Sequence, residues 1–269
     1  MESLQIDAAN IDDVVRYLCS KEQPFFRPTA ISLPAAMELA FWVKSQPDGL
    51  TSTIQLWQRE HVYLKQCVAI SEGETLFAPQ ETYAVLPHEF FAIRADNDVL
   101  RDEWNFFLER FSRALRESGF KHLSQGIAGG FSEIATNVVQ HSTFGKKNAK
   151  MNGIAAYAVS AKSVSFAVGD DGIGALQSLR TNPRWSSLGS HREAVRAIGH
   201  DHASRRVDQG EGQGYRELFD ALASFDGTVR LRSGDGVFTI TGTIDTATAI
   251  GANVPHIPGL QISVHCTLK

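Results

Sequence analysis

The chain has 269 residues, of which 43% are hydrophobic and 21% charged, and its formal net charge is -4. This composition is ordinary for a folded globular protein and excludes a disordered chain, while the length allows one large domain or two modest ones. The lack of a basic excess argues against a nucleic-acid-binding protein. No run of residues reaches the roughly 18 apolar residues of a membrane helix, and the acidic N-terminus does not resemble a secretory signal. Because the three cysteines are also widely spaced, we expect a cytoplasmic protein with reduced thiols.

The first 95 residues predict a small α/β domain. Leu33 to Lys44 has apolar residues at helical spacing, and Gly49 to Trp57 is interpreted as a strand. Glu60 to Ile70 is interpreted as a second helix, which completes a strand–helix rhythm. Residues 79–98 contain two prolines and predict a connection or an irregular strand.

Residues 96–269 predict a larger domain that begins with two helices and continues mainly with strands. A long polar insertion interrupts the strands, and its composition predicts a mobile lid over residues 176–209. The predicted helices are Val99–Gly119, Leu123–His141, Arg192–Ile198 and Tyr215–Ser224, and the predicted strands are Gly153–Val159, Val164–Val168, Val229–Arg232, Val237–Thr243 and Leu260–Leu268.

The first chemical motif lies on the second of these helices. Glu133 and Asn137 are four residues apart, so both side chains lie on one helical face. An amide oxygen is a hard ligand suited to Mg²⁺, and a carboxylate can orient or deprotonate a nucleophile. Taken alone, the pair also fits a surface helix with scattered polar residues.

The second motif follows the strand Val164–Val168. Asp170 comes directly after this strand, and Gly172 and Gly174 then allow the backbone to approach a ligand closely. The carboxylate can accept a hydrogen bond from an exocyclic amine such as that of adenine. An acidic hairpin turn is the alternative, because Asp-Gly is a favoured turn pair.

The third motif is a glycine-rich segment before the predicted helix at 215–224. Glycines at a helix N-terminus expose backbone N–H groups that favour phosphate. A dinucleotide-binding fingerprint is excluded because a polar insertion precedes the segment, where that fingerprint requires a strand. The candidate residues are Gly210, Gly212, Gln213 and Gly214.

The order and spacing of the three motifs resemble the conserved boxes of the GHKL (Bergerat-fold) ATPase superfamily over residues from about 97 to 269. The resemblance is strongest to bacterial anti-sigma-factor and histidine-kinase-type ATP-binding regulators, in which the first box commonly ends in His-Ser, as at His141 here. The C-terminal Pro258-Gly259 before a strand is similar to their final strand. Many relatives carry a threonine near the strand after the last glycine box, where this chain has Gly236, Val237 and Phe238.

The resemblance implies a two-layer α/β sandwich with a mixed sheet, and ATP and Mg²⁺ as ligands. Asn137 would bind Mg²⁺, Asp170 would receive the adenine amino group, and Glu133 would act as the base. Gly172 and Gly174 would border the base and ribose. Nucleotide contacts would also come from His141, Gly210, Gly212, Gln213 and Gly214.

The resemblance further implies a signalling protein that regulates or phosphorylates a protein partner, with a homodimer left open. An ATPase whose nucleotide cycle drives conformational change is the alternative, and a nucleotide-binding scaffold without turnover is a third. Neither nucleic acid nor a membrane is expected as a partner. The pattern of the first 95 residues is similar to STAS-type regulatory domains, and an unrelated α/β cap explains it equally well.

Overall fold

Seven strands of the described chain pair into one antiparallel sheet, which the computed structural model places between two layers of helices. The structure describes residues 4–20, 26–46, 51–74, 85–94, 102–121, 124–142, 152–201, 203, 226–241, 248–250 and 254–267. The helices are α1 (Ile11–Cys19), α2 (Leu33–Ser45), α3 (Thr51–Glu60), α4 (Val62–Ser71), α5 (Asp102–Glu117), α6 (Ser124–Ser142), α7 (Gly174–Leu179) and α8 (His191–Asp201), with a 3₁₀ turn at Pro183–Trp185. The strands are β1 (Leu4–Ile6), β2 (Pro28–Ile31), β3 (His88–Arg94), β4 (Asn152–Val159), β5 (Ser163–Asp170), β6 (Asp226–Gly234), β7 (Gly236–Thr241), β8 (Thr248–Ile250) and β9 (Ile257–Thr267).

The large sheet has the strand order β3-β4-β5-β9-β6-β7-β8. Every neighbouring pair in it is antiparallel, so the prediction of a mixed sheet is wrong for the described strands. Tight turns join β4 to β5 and β6 to β7, and β9 returns between β5 and β6, where Ile262 pairs with Val168 on one side and Leu231 on the other. The parallel pairing in the described residues is between β1 and β2, which form a separate small sheet.

One face of the large sheet is covered by α5, α6, α7 and α8. Helix α5 confirms its predicted pattern, because Trp104, Phe107 and Phe111 are buried at steps of three and four residues. These aromatic rings pack on α6 and on the sheet, and the rings of Phe111 and Tyr157 are 4.7 Å apart between centroids. This core carries the helix and the strand on which the first two motifs lie.

The opposite face is covered by helices from the first part of the chain. The central one, α2, buries every residue from Leu33 to Trp42 because it lies between the sheet and its helical neighbours. Its N-terminus is capped by Ser32, whose hydroxyl accepts a hydrogen bond from the Ala35 N–H at 3.4 Å. The protein is therefore three-layered, with the second helical layer supplied by the first part of the chain, and the two-layer sandwich predicted for residues 96–269 alone stays a prediction.

A buried ionic cluster joins the N-terminal helices to β6. Glu38 of α2 accepts from Arg230 at 2.7 Å, and Asp12 of α1 accepts from both Arg230 and Arg232. Arg230 and Arg232 are 5% and 0% exposed, so the carboxylates offset a desolvation cost that the arginines would otherwise bear alone.

Four predictions about the first part of the chain have different outcomes. The helix at Leu33–Lys44 is confirmed, and the strand at Gly49–Trp57 is wrong because residues 51–60 form α3. Residues 88–94 of the expected connection form a regular strand, β3. The boundary near residue 95 stays a prediction, and many contacts cross it, among them the pairing of β3 with β4 and the packing of α2 against β5 and β9. Among the helices described above, none is both long and apolar enough to span a lipid bilayer.

Candidate nucleotide-binding site

Asp170 stands at the end of β5, on the sheet face covered by α5–α8. Its side chain follows Val168 on that face and is buried, with 2% of the residue exposed. The Gly172 N–H donates to the Asp170 carboxylate at 2.6 Å, and this contact turns the chain away from the sheet. The strand therefore delivers one carboxylate into a buried position and then leaves through a tight turn.

The last strand, β9, lies beside β5 and approaches the backbone of Asp170 closely. Gly259 has a φ of +75°, and a Cβ at this position would overlap the backbone carbonyl of Asp170. The Gln261 side-chain amide donates to that same carbonyl at 3.1 Å and to the Pro258 carbonyl at 2.7 Å. Only glycine allows β9 to approach Asp170 this closely.

The position of β9 determines which residues lie beside Asp170. Residues 236–238 begin β7, and β9 and β6 separate that strand from β5. Gly259 and Leu260 instead lie beside Asp170, and the backbone N–H of Leu260 hydrogen-bonds to its carboxylate. Residue order along the chain does not reveal this arrangement, because the last strand inserts between β5 and β6.

Ser233 connects the turn after Asp170 to β9. Its buried hydroxyl accepts from the Ala175 N–H at 2.9 Å and donates to the Gly259 carbonyl at 2.7 Å. Gly174 has a φ of +73°, and a Cβ there would lie 2.8 Å from the Ser233 hydroxyl. Ser233 lies on β6, and no sequence motif around it marks it as a site residue.

Burial is the main cause of the raised pKa of the Asp170 carboxylate. Loss of solvent raises the pKa of Asp170 to about 7, while the hydrogen bonds from Gly172 and Leu260 oppose the rise and the charge of Asp171 adds to it. Near neutral pH the side chain therefore exchanges between a protonated donor and an ionised acceptor. An amine donor from a ligand would favour the ionised form.

Helix α6 confirms the helix on which the first motif was predicted. It packs against β5 and α7 on the same sheet face as Asp170. Ile134, Ala135 and Val138 face the core, whereas Glu133 is exposed and Asn137 is half-buried. The structure thus brings the first and second motifs to one side of the sheet. The side chain of His141 lies outside the described residues.

The third motif cannot be placed, because residues 204–225 lie outside the described residues. This range includes Gly210, Gly212, Gln213 and Gly214, and it includes the helix expected at 215–224. Their roles stay predictions.

The segment expected to form a lid contains more helix than its polar composition predicts. The expected short helix is present as α8 and is longer than predicted. The segment also contains most of α7 and the 3₁₀ turn. Five residues of α8 are buried, and a Cβ at one of them, Gly199, would overlap the ring of Phe238 on β7. Gly236 meets the backbone of α8 at His191, where a Cβ would lie 2.5 Å from the carbonyl carbon. Helices α7 and α8 are therefore packed against the core, and the lid stays a prediction.

We expect α8 to be protected from hydrogen exchange without any nucleotide. Its buried face opens to solvent only when its contacts with β6 and β7 break, so its amides should exchange slowly. Mass-spectrometric hydrogen exchange on the nucleotide-free protein measures this directly, with the exposed face of α3 as an internal comparison. Rapid exchange across α8 that slows on adding nucleotide would restore a lid over the whole of 176–209, whereas slow exchange confines the lid prediction to residues beyond α8.

Comparisons with models of protein families, with curated proteins and with solved structures found no match to this chain. The resemblance to the GHKL superfamily therefore depends on the sequence motifs alone.

The described residues supply an acceptor for the amine of an adenine nucleotide, but their side chains do not form a metal site by themselves. The buried carboxylate of Asp170 is an acceptor for an amine, and Gly172 and Gly259 contact Asp170 without side chains. Within the described chain, no group of three or more His, Cys, Asp or Glu side chains could hold a metal alone. A magnesium ion at Asn137 would accordingly need oxygens from phosphate and water, which is how Mg²⁺ commonly binds beside nucleotides.

Proposed function

We propose that the chain binds ATP with Mg²⁺ in a Bergerat-type pocket and acts as a regulator or kinase of a protein partner. The observation that carries the proposal is Asp170: a single buried carboxylate at a strand end, enclosed by glycine backbone and backbone donors. Burying such a group is unfavourable for the fold, which is the expected signature of a side chain kept for a ligand.

Each described residue of the site would perform one task. Asp170 in its ionised form accepts from the amino group of adenine, and this contact discriminates against guanine, which presents a carbonyl at that position. Asn137 is half-buried on α6 and supplies an amide oxygen for Mg²⁺. When bound, Mg-ATP supplies the phosphoryl group, and Glu133 one helical turn earlier is exposed where it can take a proton from an attacking hydroxyl or water.

Replacement of Asp170 or Asn137 by Ala is expected to weaken Mg-ATP binding by about tenfold to a hundredfold, the range for losing a contact to a charged group. Only the effect of Asn137→Ala should disappear when Mg²⁺ is removed. Titration calorimetry with ATP and GTP, with and without Mg²⁺, measures both effects. Gln125→Ala is the matched control, because it removes an exposed amide from the same helix. Equal binding of GTP and ATP by the parent protein would contradict the pocket.

Glu133→Gln is expected to reduce phosphate release or transfer by about a hundredfold while leaving Mg-ATP affinity within about twofold, because it keeps the shape and removes the base. Phosphate release and transfer of labelled phosphate to a co-purified partner are the two measurements. Glu117→Gln, an exposed change on α5, is the control. Equal rates in parent and Glu133→Gln would remove Glu133 from the catalytic role.

A further inference from the structure

Helix α2 meets the proposed nucleotide site from the opposite side of the sheet. A Cβ at Gly169 would lie 2.8 Å from the ring of Phe41 and 3.1 Å from the sulfur of Met37, so α2 rests on the backbone of β5 just before Asp170. One turn further along α2, Lys44 forms an ion pair with Asp171, just after Asp170. The helix therefore contacts the chain on both sides of the candidate adenine acceptor.

Asp170 and Asp171 lie next to each other and serve different layers. The side chain of Asp170 is buried on the α5–α8 side, whereas Asp171 pairs with a helix of the other layer. Asp171 begins the turn that follows β5, so its ion pair holds that turn beside α2 and fixes the backbone from which the Asp170 side chain extends. The ion pair thus restrains the acceptor without touching it.

The ion pair also bears on the charge around Asp170. Only 29% of the Lys44 side chain and 13% of the Asp171 side chain are exposed, so water screens the pair weakly. Asp171 is the charged neighbour that acts on the Asp170 carboxyl group, and Lys44 offsets its charge. Loss of Lys44 would remove a positive charge from beside two adjacent carboxylates.

We propose that Lys44 is a positioning residue for the nucleotide site, which holds Asp171 and through it keeps Asp170 oriented toward the base. The inference rests on the proposed function, and it makes the N-terminal helical layer a determinant of nucleotide affinity. Lys44 does not touch the ligand in this arrangement.

A double-mutant cycle tests the proposal. At pH 8.5 we expect Lys44→Met to weaken Mg-ATP binding about tenfold and Lys44→Arg to stay within about threefold of the parent. In an Asp171→Asn background, Lys44→Met should have almost no further effect. Calorimetry gives the affinities, and circular dichroism melting shows that each variant is folded.

A second measurement needs no nucleotide. In protein with ¹³C-labelled aspartate, the carboxyl resonance of Asp170 is assigned by its loss in Asp170→Asn and titrated with pH. We expect Lys44→Met to raise its midpoint by about half a unit and Asp171→Asn to lower it, because the neighbouring negative charge is exposed in one variant and removed in the other.

The two measurements separate failure of the inference from failure of the function. If Lys44→Met weakens ATP binding equally in both backgrounds, Lys44 contacts the ligand directly and the positioning role is wrong. If the parent does not bind ATP, the proposed function fails, and the carboxyl titration alone decides whether Lys44 acts on Asp170. An Asp170 midpoint that does not move in Lys44→Met overturns the inference in either case.

Discussion

Asp170→Asn should stabilise the fold above pH 7 by about 2–4 kcal/mol while it weakens ATP binding. The amide keeps an oxygen that can accept from the Gly172 and Leu260 N–H groups, and it has no charge to bury. A binding residue that lowers the stability of the fold is expected where function and stability have opposing requirements. Urea unfolding at pH 8.5, together with calorimetry on the same samples, measures the two opposite effects.

The sign of this stability change follows from how the free energy of unfolding of the parent protein depends on pH. The pKa of Asp170 is about 7 in the folded chain against an ordinary 3.8, so the folded state binds this proton more tightly than the unfolded state. The contribution of this group to the free energy of unfolding is therefore full below about pH 4 and is lost as pH rises toward 7. Asp170→Asn should remove that decline.

Asp13→Asn is the control, because this carboxylate is 76% exposed and its loss should change stability by no more than about 0.5 kcal/mol. Equal stability of Asp170→Asn and the parent protein at pH 8.5 would show that the Asp170 carboxylate carries no desolvation cost.

Gly259→Ala should destabilise the protein by about 3 kcal/mol or more, enough to prevent folding in a marginally stable chain. Two effects add: the backbone at φ +75° disfavours any side chain, and the new methyl group would overlap the carbonyl of Asp170. Relief requires β9 to move away from β5, which separates the middle of the sheet. The urea midpoint of the purified variant is the measurement.

Gly129→Ala is the matched control for this substitution. Gly129 lies in α6 with nothing within 4 Å of an added Cβ, so alanine should stabilise the helix by up to about 1 kcal/mol. A Gly259→Ala protein that unfolds at the same urea concentration as the parent would mean that β9 does not approach the Asp170 carbonyl closely enough to exclude a methyl group.

Periodic helices were predictable because their burial follows local spacing. In α5 the buried aromatic residues recur every three or four positions, and the same spacing identifies α6. Residues 51–60 were misassigned because Ile54, Leu56 and Trp57 are apolar and close together. Among residues 53–60 of α3, the buried ones are Ile54 and Trp57, three residues apart, and Leu56 is exposed. The neighbours of this segment, rather than its composition, select a helix.

The order of the strands was not predictable from periodicity. Strand β3 is apolar on both faces because helices cover both, so Phe90 and Phe91 show no alternation of apolar and polar residues. The insertion of β9 between β5 and β6 is a contact between distant parts of the chain. Only the folded structure shows that Gly259 belongs beside Asp170.

The candidate site was predictable where its chemistry is local. Asp170 with its glycines forms one short motif, and Glu133 and Asn137 share one helical face, so their residue types and spacing identify them. Lys44 lies 127 residues from its partner Asp171, and Ser233 lies 58 residues from Ala175. Neither has a neighbouring motif that would indicate its partner.

The ionic cluster of α1, α2 and β6 bears on how such a protein can evolve. Arg230 and Arg232 are buried in the sheet, and their carboxylate partners, Asp12 and Glu38, come from the first forty residues. A gene fusion that exchanged this N-terminal segment for another would leave two arginines buried without counter-ions, at a cost of about 3–5 kcal/mol for a broken buried pair. Recombination that separates the N-terminal segment from the rest of the chain is therefore strongly disfavoured. The N-terminal segment and the strands of the large sheet are expected to be inherited and to diverge together.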